Sequence, residues 1–400
     1  MKMKILVICQ YYAPEPFRIT DICETLVAQG HEVMVIAGTP NYPEGYVYEG
    51  YKHGRKKDEV INGVCVHRCY TVGRRKGVLF RILNYYSFVI SSVRYAKRLR
   101  EKFDIVFVNQ LSPVMMARAG IAYKKKHKVP LLMYCLDLWP ESLVAGGVKK
   151  DSLVYKIFLK ISRDIYKRAD RVLVSSKKFS LYFEDKFGIT ETGYLPQYAE
   201  MLFDEKTCQK VPNETIDLMF AGNVGFAQSI NTIIYAAQKT ADIQNLRWHI
   251  VGDGSELTEA KMLSQSLMLS NVIFHGRQPL HAMPSYYAMA DAMLVTMQKD
   301  DIISMTLPGK VQTYMAAGKA IIGAIDGETA EVISEAKCGL CCSAQDAQGL
   351  AQCARDFVSN KETAHFATNA LAYSKKHFSN ELFFKKLEDE LSRTVCAKNV

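Results

Sequence analysis

The chain has 400 residues, 48% apolar and 23% charged, with a net charge of +10. That length exceeds one average domain, and the composition excludes a disordered or low-complexity chain, so two folded domains with large cores are expected. The charge is uneven: residues 1–196 hold 33 Lys and Arg against 18 Asp and Glu, and the remainder holds 18 against 23. An anionic partner is therefore expected for the N-terminal half, whether membrane surface, polyphosphate or nucleic acid.

The start, "MKMKILVICQYYAPEP", has only a short apolar run before polar residues and prolines. It reads as a first strand and not as a signal peptide. Strands are predicted at Lys4–Cys9, His31–Gly38, Val64–Cys69, Asp104–Asn109, Pro130–Cys135 and Arg171–Ser176, with amphipathic helical patterns between them. One such pattern, "ITDICETLVAQG", ends at Gly30 as a helix cap would. Continuous apolar strands alternating with helices imply a mostly parallel sheet covered on both faces. The best candidate for a membrane span, "ILNYYSFVISSV", has 12 residues between Arg81 and Arg94, and spanning a bilayer takes roughly 20.

Polar residues 188–217, with two prolines and no clear period, read as a linker. The alternation then restarts at Leu218–Gly222, Arg247–Gly252, Asn271–Gly276, Ala292–Met297, Ala320–Ile325 and Gly339–Ser343. The expected organisation is an N-terminal Rossmann-like domain over 1–196 and a second over 197–370. A C-terminal helix over 371–395 is expected to join the first domain. Eleven cysteines are scattered, and "CGLCC" (338–342) lacks the spacing of a metal site. Unpaired cysteines with no signal peptide suit a reducing cytosol.

Ligands of such sheets bind beyond the carboxyl ends of the strands. After the first strand of the second half comes "AGNVGFAQSI" (Ala221–Ile230). The next strand ends in "VGDGSE" (Val251–Glu256), and the next in "HGRQP" (His275–Pro279). Then "TLPGKVQTYMAAGKAII" (Thr306–Ile322) opens a helix at Gly309 and Lys310. Glycine turns let backbone N–H groups approach an anion, and a helix N-terminus favours negative charge. Four successive strand ends with such turns are far more specific than any one of them.

This order and spacing resembles the C-terminal half of a family 4 glycosyltransferase with the GT-B fold. That family has a Gly turn, a GDG, an "hGrvp" turn and a "GlPxxExMAxGkPVI" segment in this sequence. In the first half, "YYAPEPFRITDICETLVAQGHEVMVIAGTPNYPEG" and "DLWPESL" (Asp137–Leu143) resemble its WbuB-like branch, proposed N-acetyl-L-fucosamine transferases of bacterial O-antigen assembly. The resemblance implies an α/β, GT-B architecture: two Rossmann-like domains facing each other across a cleft, acceptor on the first and nucleotide sugar on the second. It implies a donor site at Gly222, Asn223, Gly252, Asp253, Arg277, Pro308 and Gly309, with Lys310 facing the donor diphosphate. Asp137 would face the reacting sugar, with capping of the "LWPESL" helix as its other role. Glu141 would orient an acceptor hydroxyl, and Trp139 would pack or stack on a sugar.

The departures are specific. The family's Glu-x7-Glu positions fall on Met305 and Thr313, so both carboxylates are missing, and Gln312 or Thr313 is left to hold the donor ribose. The family's usual Arg and Lys after the first strand of this half are Asn223 and Gln228. Arg18, Arg277 and Lys310 are the candidates to supply that charge, and Arg277 is expected chiefly to frame the base. No Asp-x-Asp occurs, so a metal-independent reaction is expected, with helix ends and basic groups stabilising the leaving diphosphate.

Residues 73–102 carry nine Lys or Arg and one Glu among aromatic and aliphatic residues. This suits an element lying on anionic lipid, or a core-packed helix with a solvated basic face. No zinc-finger or RRM-like signature accompanies the charge, so nucleic acid is not an expected partner. The expectation is a cytoplasmic glycosyltransferase, peripheral on the inner face of the cytoplasmic membrane. It would move a sugar with retention from a UDP-sugar to a polyprenyl-diphosphate-linked saccharide. A UDP-sugar 2-epimerase of the same fold and a non-catalytic partner subunit are the alternatives.

Overall fold

A computed structural model describes residues 2–144, 147–360 and 365–398. Contacts divide the chain into two units. The first comprises residues up to Ser175, Phe179–Leu195 and those from Lys386 on; the second comprises Ser176–Lys178 and Pro196–Lys385.

The first unit is built on eight strands: β1 (Lys4–Ile8), β2 (Glu32–Gly38), β3 (Asp58–Ile61), β4 (Val64–Cys69), β5 (Ile105–Gln110), β6 (Leu131–Cys135), β7 (Arg171–Val174) and β8 (Thr192–Tyr194). Their order is β3-β4-β2-β1-β5-β6-β7-β8. All pairs are parallel except β3 with β4. Ile5 to Ile8, Ile105 to Val108 and Leu131 to Met133 are fully buried, as strands covered by helices on both faces must be. Chain order reverses between β1 and β5, so the crevice for a ligand opens at their carboxyl ends.

The second unit has six parallel strands: β9 (Ile216–Ala221), β10 (Leu246–Val251), β11 (Val272–Gly276), β12 (Ala292–Thr296), β13 (Ala320–Ala324) and β14 (Gly339–Cys342). Their order is β11-β10-β9-β12-β13-β14, which puts the reversal between β9 and β12. Trp248, Ile250, Leu294 and Ile322 pack on one core, and Met219, Met293, Tyr314 and Ile321 on another.

Three elements differ from expectation. β3 pairs with β4 through the turn Asn62–Gly63, whose φ values of 47° and 84° make a hairpin. β8 lies inside the stretch read as linker. The ending is two helices, Phe366–His377 and Asn380–Cys396, rather than one. The second is held to the first unit by Glu390, bidentate to Arg171 at 2.7 and 2.9 Å, and by Glu388 on His31 at 2.9 Å.

Candidate active site

In the second unit, three strand ends are locked together by backbone. Gly222 N–H donates to Val251 O at 2.9 Å, and Gly252 N–H to Gly276 O at 2.9 Å. Gly222 and Gly252 have φ of 143° and 148°, and a Cβ at Gly252 would lie 1.8 Å from Gly222 O. No side chain fits there, so the turns must be glycine.

The helix Gly309–Ala316 follows Pro308 and is pinned to the end of β9. Tyr314 hydroxyl donates to Ala221 O at 2.9 Å and accepts from Ala221 N–H at 3.2 Å. This sets Lys310 beside Gly222, where a Cβ would meet Nζ at 3.0 Å, and 4.0 Å from the centre of the Phe220 ring. Among the described residues its ammonium has no hydrogen-bond or ion-pair partner. Burial pushes its pKa down to about 7. A half-buried cation with no counter-ion among the described residues, beside glycine turns and at a helix start, is arranged for an anion.

The other residues of this end are placed as follows. Asp253 is exposed, and its carboxylate accepts from Gly254 N–H at 2.7 Å. Asn223 and Gln228, where the family has cations, bond each other at 3.3 Å. Arg277 is exposed just past β11. Beneath that turn His275 bonds His249 at 2.9 Å, which bonds buried Asp217 at 2.9 Å. This buried chain carries no motif that sequence could flag. Gln312 and Thr313, expected at the ribose, are buried and turned into their own helix. With its amide nitrogen towards the two carbonyls, Gln312 donates to Pro308 O at 2.8 Å and Gly309 O at 3.2 Å, and Thr313 Oγ1 donates to Gly309 O at 3.1 Å.

In the first unit, Asp137 follows β6 and its carboxylate accepts from Ser112 N–H at 3.2 Å. Burial raises its pKa, opposed by the Ser112 hydrogen bonds and the charge of Arg74. Arg74 lies over the Tyr85 ring at 5.7 Å, and its N–H donates to Asn41 Oδ1 at 3.0 Å. Glu15, 2% exposed, accepts from the N–H groups of Asn41 and Tyr42 at 2.8 Å each and Tyr12 at 3.3 Å. Burial pushes Glu15 up to about 7, against those three hydrogen bonds. Arg74 and Glu15 are the residues that motif reading missed here. Arg18 immediately precedes the helix Ile19–Ala28 in this unit, where its charge acts on buried Tyr134.

One expectation, for Glu141, is corrected, and of the two roles given for Trp139 the structure shows packing. Glu141 is 2% exposed and accepts from Tyr155 hydroxyl at 2.6 Å and Tyr182 hydroxyl at 2.8 Å. Its carboxylate holds the domain core and does not face an acceptor. Trp139 is 4% exposed, edge-on to Phe158 at 5.9 Å, which leaves no ring face for a sugar.

Comparison with known proteins agrees with this geometry. The model "Glycosyltransferase Family 4" matches residues 18–192, and "Glycosyl transferases group 1" matches residues 204–372. The chain is a family 4 glycosyltransferase of GT-B fold. Among its relatives, the colanic acid biosynthesis glycosyl transferase by name, WcaI of Escherichia coli, is 26% identical over 336 residues, 79% of this chain and 82% of the relative. WbjE of Pseudomonas aeruginosa, by name a glycosyltransferase, is 27% identical over 277 residues, 65% of this chain and 67% of the relative. The fold matches HepE of Anabaena in complex with UDP and glucose, with TM-score 0.71, 16% identity and coverage of 98% and 99%. It also matches sucrose-phosphate synthase of Thermosynechococcus elongatus, with TM-score 0.74, 17% identity and coverage of 99% and 100%. The transferase is nucleotide-sugar dependent.

Proposed function

We propose that this transferase moves a sugar from a UDP-sugar to a polyprenyl-diphosphate-linked saccharide, with retention of configuration, in O-antigen or capsule synthesis. The carrying observation is Lys310: an unpaired ammonium fixed by Tyr314 at the Gly222 turn. The donor diphosphate would take the N–H groups of the turns, the helix start and Lys310, with no metal ion required. Arg277 frames the base. The bond from the sugar C1 to the diphosphate oxygen breaks, an acceptor hydroxyl oxygen bonds C1 on the same face, and its proton passes to the leaving phosphate. No protein nucleophile is needed. Asp137, with Arg74 beside it, orients the acceptor hydroxyl. HepE complexes with UDP-glucose and UDP support the choice of uridine.

No helix of the described residues is long and apolar enough to cross a membrane. The helix Val78–Arg98 nonetheless exposes Val78, Leu79, Ile82, Leu83, Tyr86 and Ile90 on one face, while Tyr85, Phe88 and Val89 enter the core. Exposed Arg75, Lys76 and Arg81 flank that face. Leu153, Val154 and Ile157 are exposed at the start of the helix Leu153–Tyr166, beside exposed Lys149, Lys150 and Lys156. Apolar faces bordered by cations suit an anionic lipid surface, and we place the first domain on the cytoplasmic face of the membrane on that ground.

A panel of UDP-sugars, headed by UDP-N-acetyl-L-fucosamine, tests the reaction with a prenyl-diphosphate-linked saccharide as acceptor. Thermal shift ranks the donors, since a ligand of the folded form raises apparent stability, and product analysis reads transfer. A sugar-extended prenyl product is expected. Conversion of the UDP-sugar to its epimer without acceptor contradicts the proposal.

A further inference from the structure

The carboxyl ends of β2 and β4 frame a cavity of about 580 Å³, lined among others by Thr39, Tyr51, Lys52, Arg55, Lys57 and Arg68. It lies on the carboxyl-end side of the sheet, one strand away from the β1/β5 reversal, and its volume lies in the range of about 300–1,000 Å³ common for small-molecule sites. None of these residues belongs to a motif.

Arg68, on β4, is 4% exposed. Its guanidinium lies over the rings of Tyr12 and Tyr51, at 5.8 and 5.3 Å. Nε and Nη2 donate to Glu59 Oε1 at 3.0 and 2.8 Å, and Nη2 also donates to Ala13 O. Nη1 is buried and has no hydrogen-bond partner. Leaving a buried donor unmet costs about 1–3 kcal/mol, and the same burial keeps Nη1 out of direct reach of a ligand, so Arg68 forms the wall of the cavity. Because Glu59 already balances Arg68, the net charge of the cavity comes from its rim. Lys52 pairs with Glu49, whereas Arg55 and Lys57 are exposed and have no ion-pair partner among the described residues. The segment that carries them passes through left-handed backbone at His53 (φ 57°) and Lys56 (φ 49°). Non-glycine residues hold such conformations where the surroundings fix them, as at ligand clamps.

We propose that this cavity holds the diphosphate of the lipid-linked acceptor, with Arg68 at its inner wall and Arg55 and Lys57 over the outer oxygens. The inference rests on reading the first domain as the acceptor domain. Free inorganic pyrophosphate presents the same oxygens and is the probe.

Pyrophosphate is titrated calorimetrically into the full chain carrying Lys310→Ala, which weakens the other anion site, and into the same chain with Arg55→Ser and Lys57→Ser added. Both rim residues are exposed, and circular dichroism checks that the variants fold. Affinity is expected to fall by about tenfold or more with the rim removed, as for the loss of charge-assisted contacts. In the chain with Lys310 intact, the two rim substitutions should raise KM for a prenyl-diphosphate-linked saccharide by a similar factor while UDP affinity holds. Equal pyrophosphate affinity with and without the rim overturns the proposal. A rim-dependent pyrophosphate affinity with unchanged acceptor KM overturns the assignment to the acceptor. Rim-dependent affinity in a chain that transfers to no prenyl acceptor leaves a diphosphate site standing and removes the acceptor reading itself.

Discussion

Glu141 is a buried charged group and Lys310 a half-buried one, and they differ in what meets the charge. Glu141 has two tyrosine hydroxyls on one oxygen and Lys150 at 3.7 Å from the other. Lys310 has nothing. Glu141→Ala should therefore lower stability in urea unfolding by about 1–3 kcal/mol, the cost of two buried hydroxyls left unmet, with acceptor KM unchanged in the folded protein. A raised KM at unchanged stability would return Glu141 to the acceptor. Lys310 was legible in sequence because a proline, a glycine and a lysine at a helix start state a physical arrangement by themselves. Glu15 was not: it stands alone between two prolines, and two of its three donors arrive from Asn41 and Tyr42. Gln312 and Thr313 were expected at the ribose because the family's second Glu position falls on Thr313, whereas both are buried and bonded to the first turn of their own helix.

At the scale of elements, the buried parallel strands were legible because each is a continuous apolar run between glycine or polar turns. β3 was missed because Asp58 and Glu59 break its apolar pattern, although Asn62–Gly63 is a hairpin signal. β8, three residues long, is too short to show a period. The helix Val78–Arg98 shows why a charge count is not a surface. Arg74, just before it, is half-buried over Tyr85, so the exposed cations of that cluster are Arg75, which lies over Tyr46 and Phe80 at 5.0 and 5.5 Å, Lys76 and Arg81. Each such cation near an anionic membrane contributes about 1 kcal/mol. Replacing these three by Ser should release the protein from anionic vesicles in sedimentation at low salt and leave UDP affinity intact. Retention equal to that of the wild type would make this helix an ordinary solvated face.

At the scale of the whole molecule, each unit is an open parallel sheet with its own reversal of strand order, and each gathers buried charge at the carboxyl ends beside that reversal. The two halves differ in what they gather. The second offers glycine turns and an unpaired ammonium, the chemistry of a diphosphate. The first offers a carboxylate, arginines and tyrosines, the chemistry of an acceptor saccharide and its phosphates. Sequence resolved the second half better because phosphate turns have a fixed spacing, while the first half's polar groups meet only through folding.

The central claim is that Lys310 receives the donor diphosphate, and calorimetric titration of UDP across pH tests it most directly. With a folded-state pKa near 7, Lys310 is charged below that value and loses its proton above it, while a bound diphosphate favours the charged form. Affinity should therefore be greatest near pH 7 and below, and fall as pH rises from 7 to 9, with proton uptake on binding and no effect of EDTA. Lys310→Ala should lose about 1.5–3 kcal/mol of UDP binding at pH 7, and its affinity should no longer fall over that range. Equal UDP affinity in wild type and Lys310→Ala, or a large loss on chelation, would contradict the account.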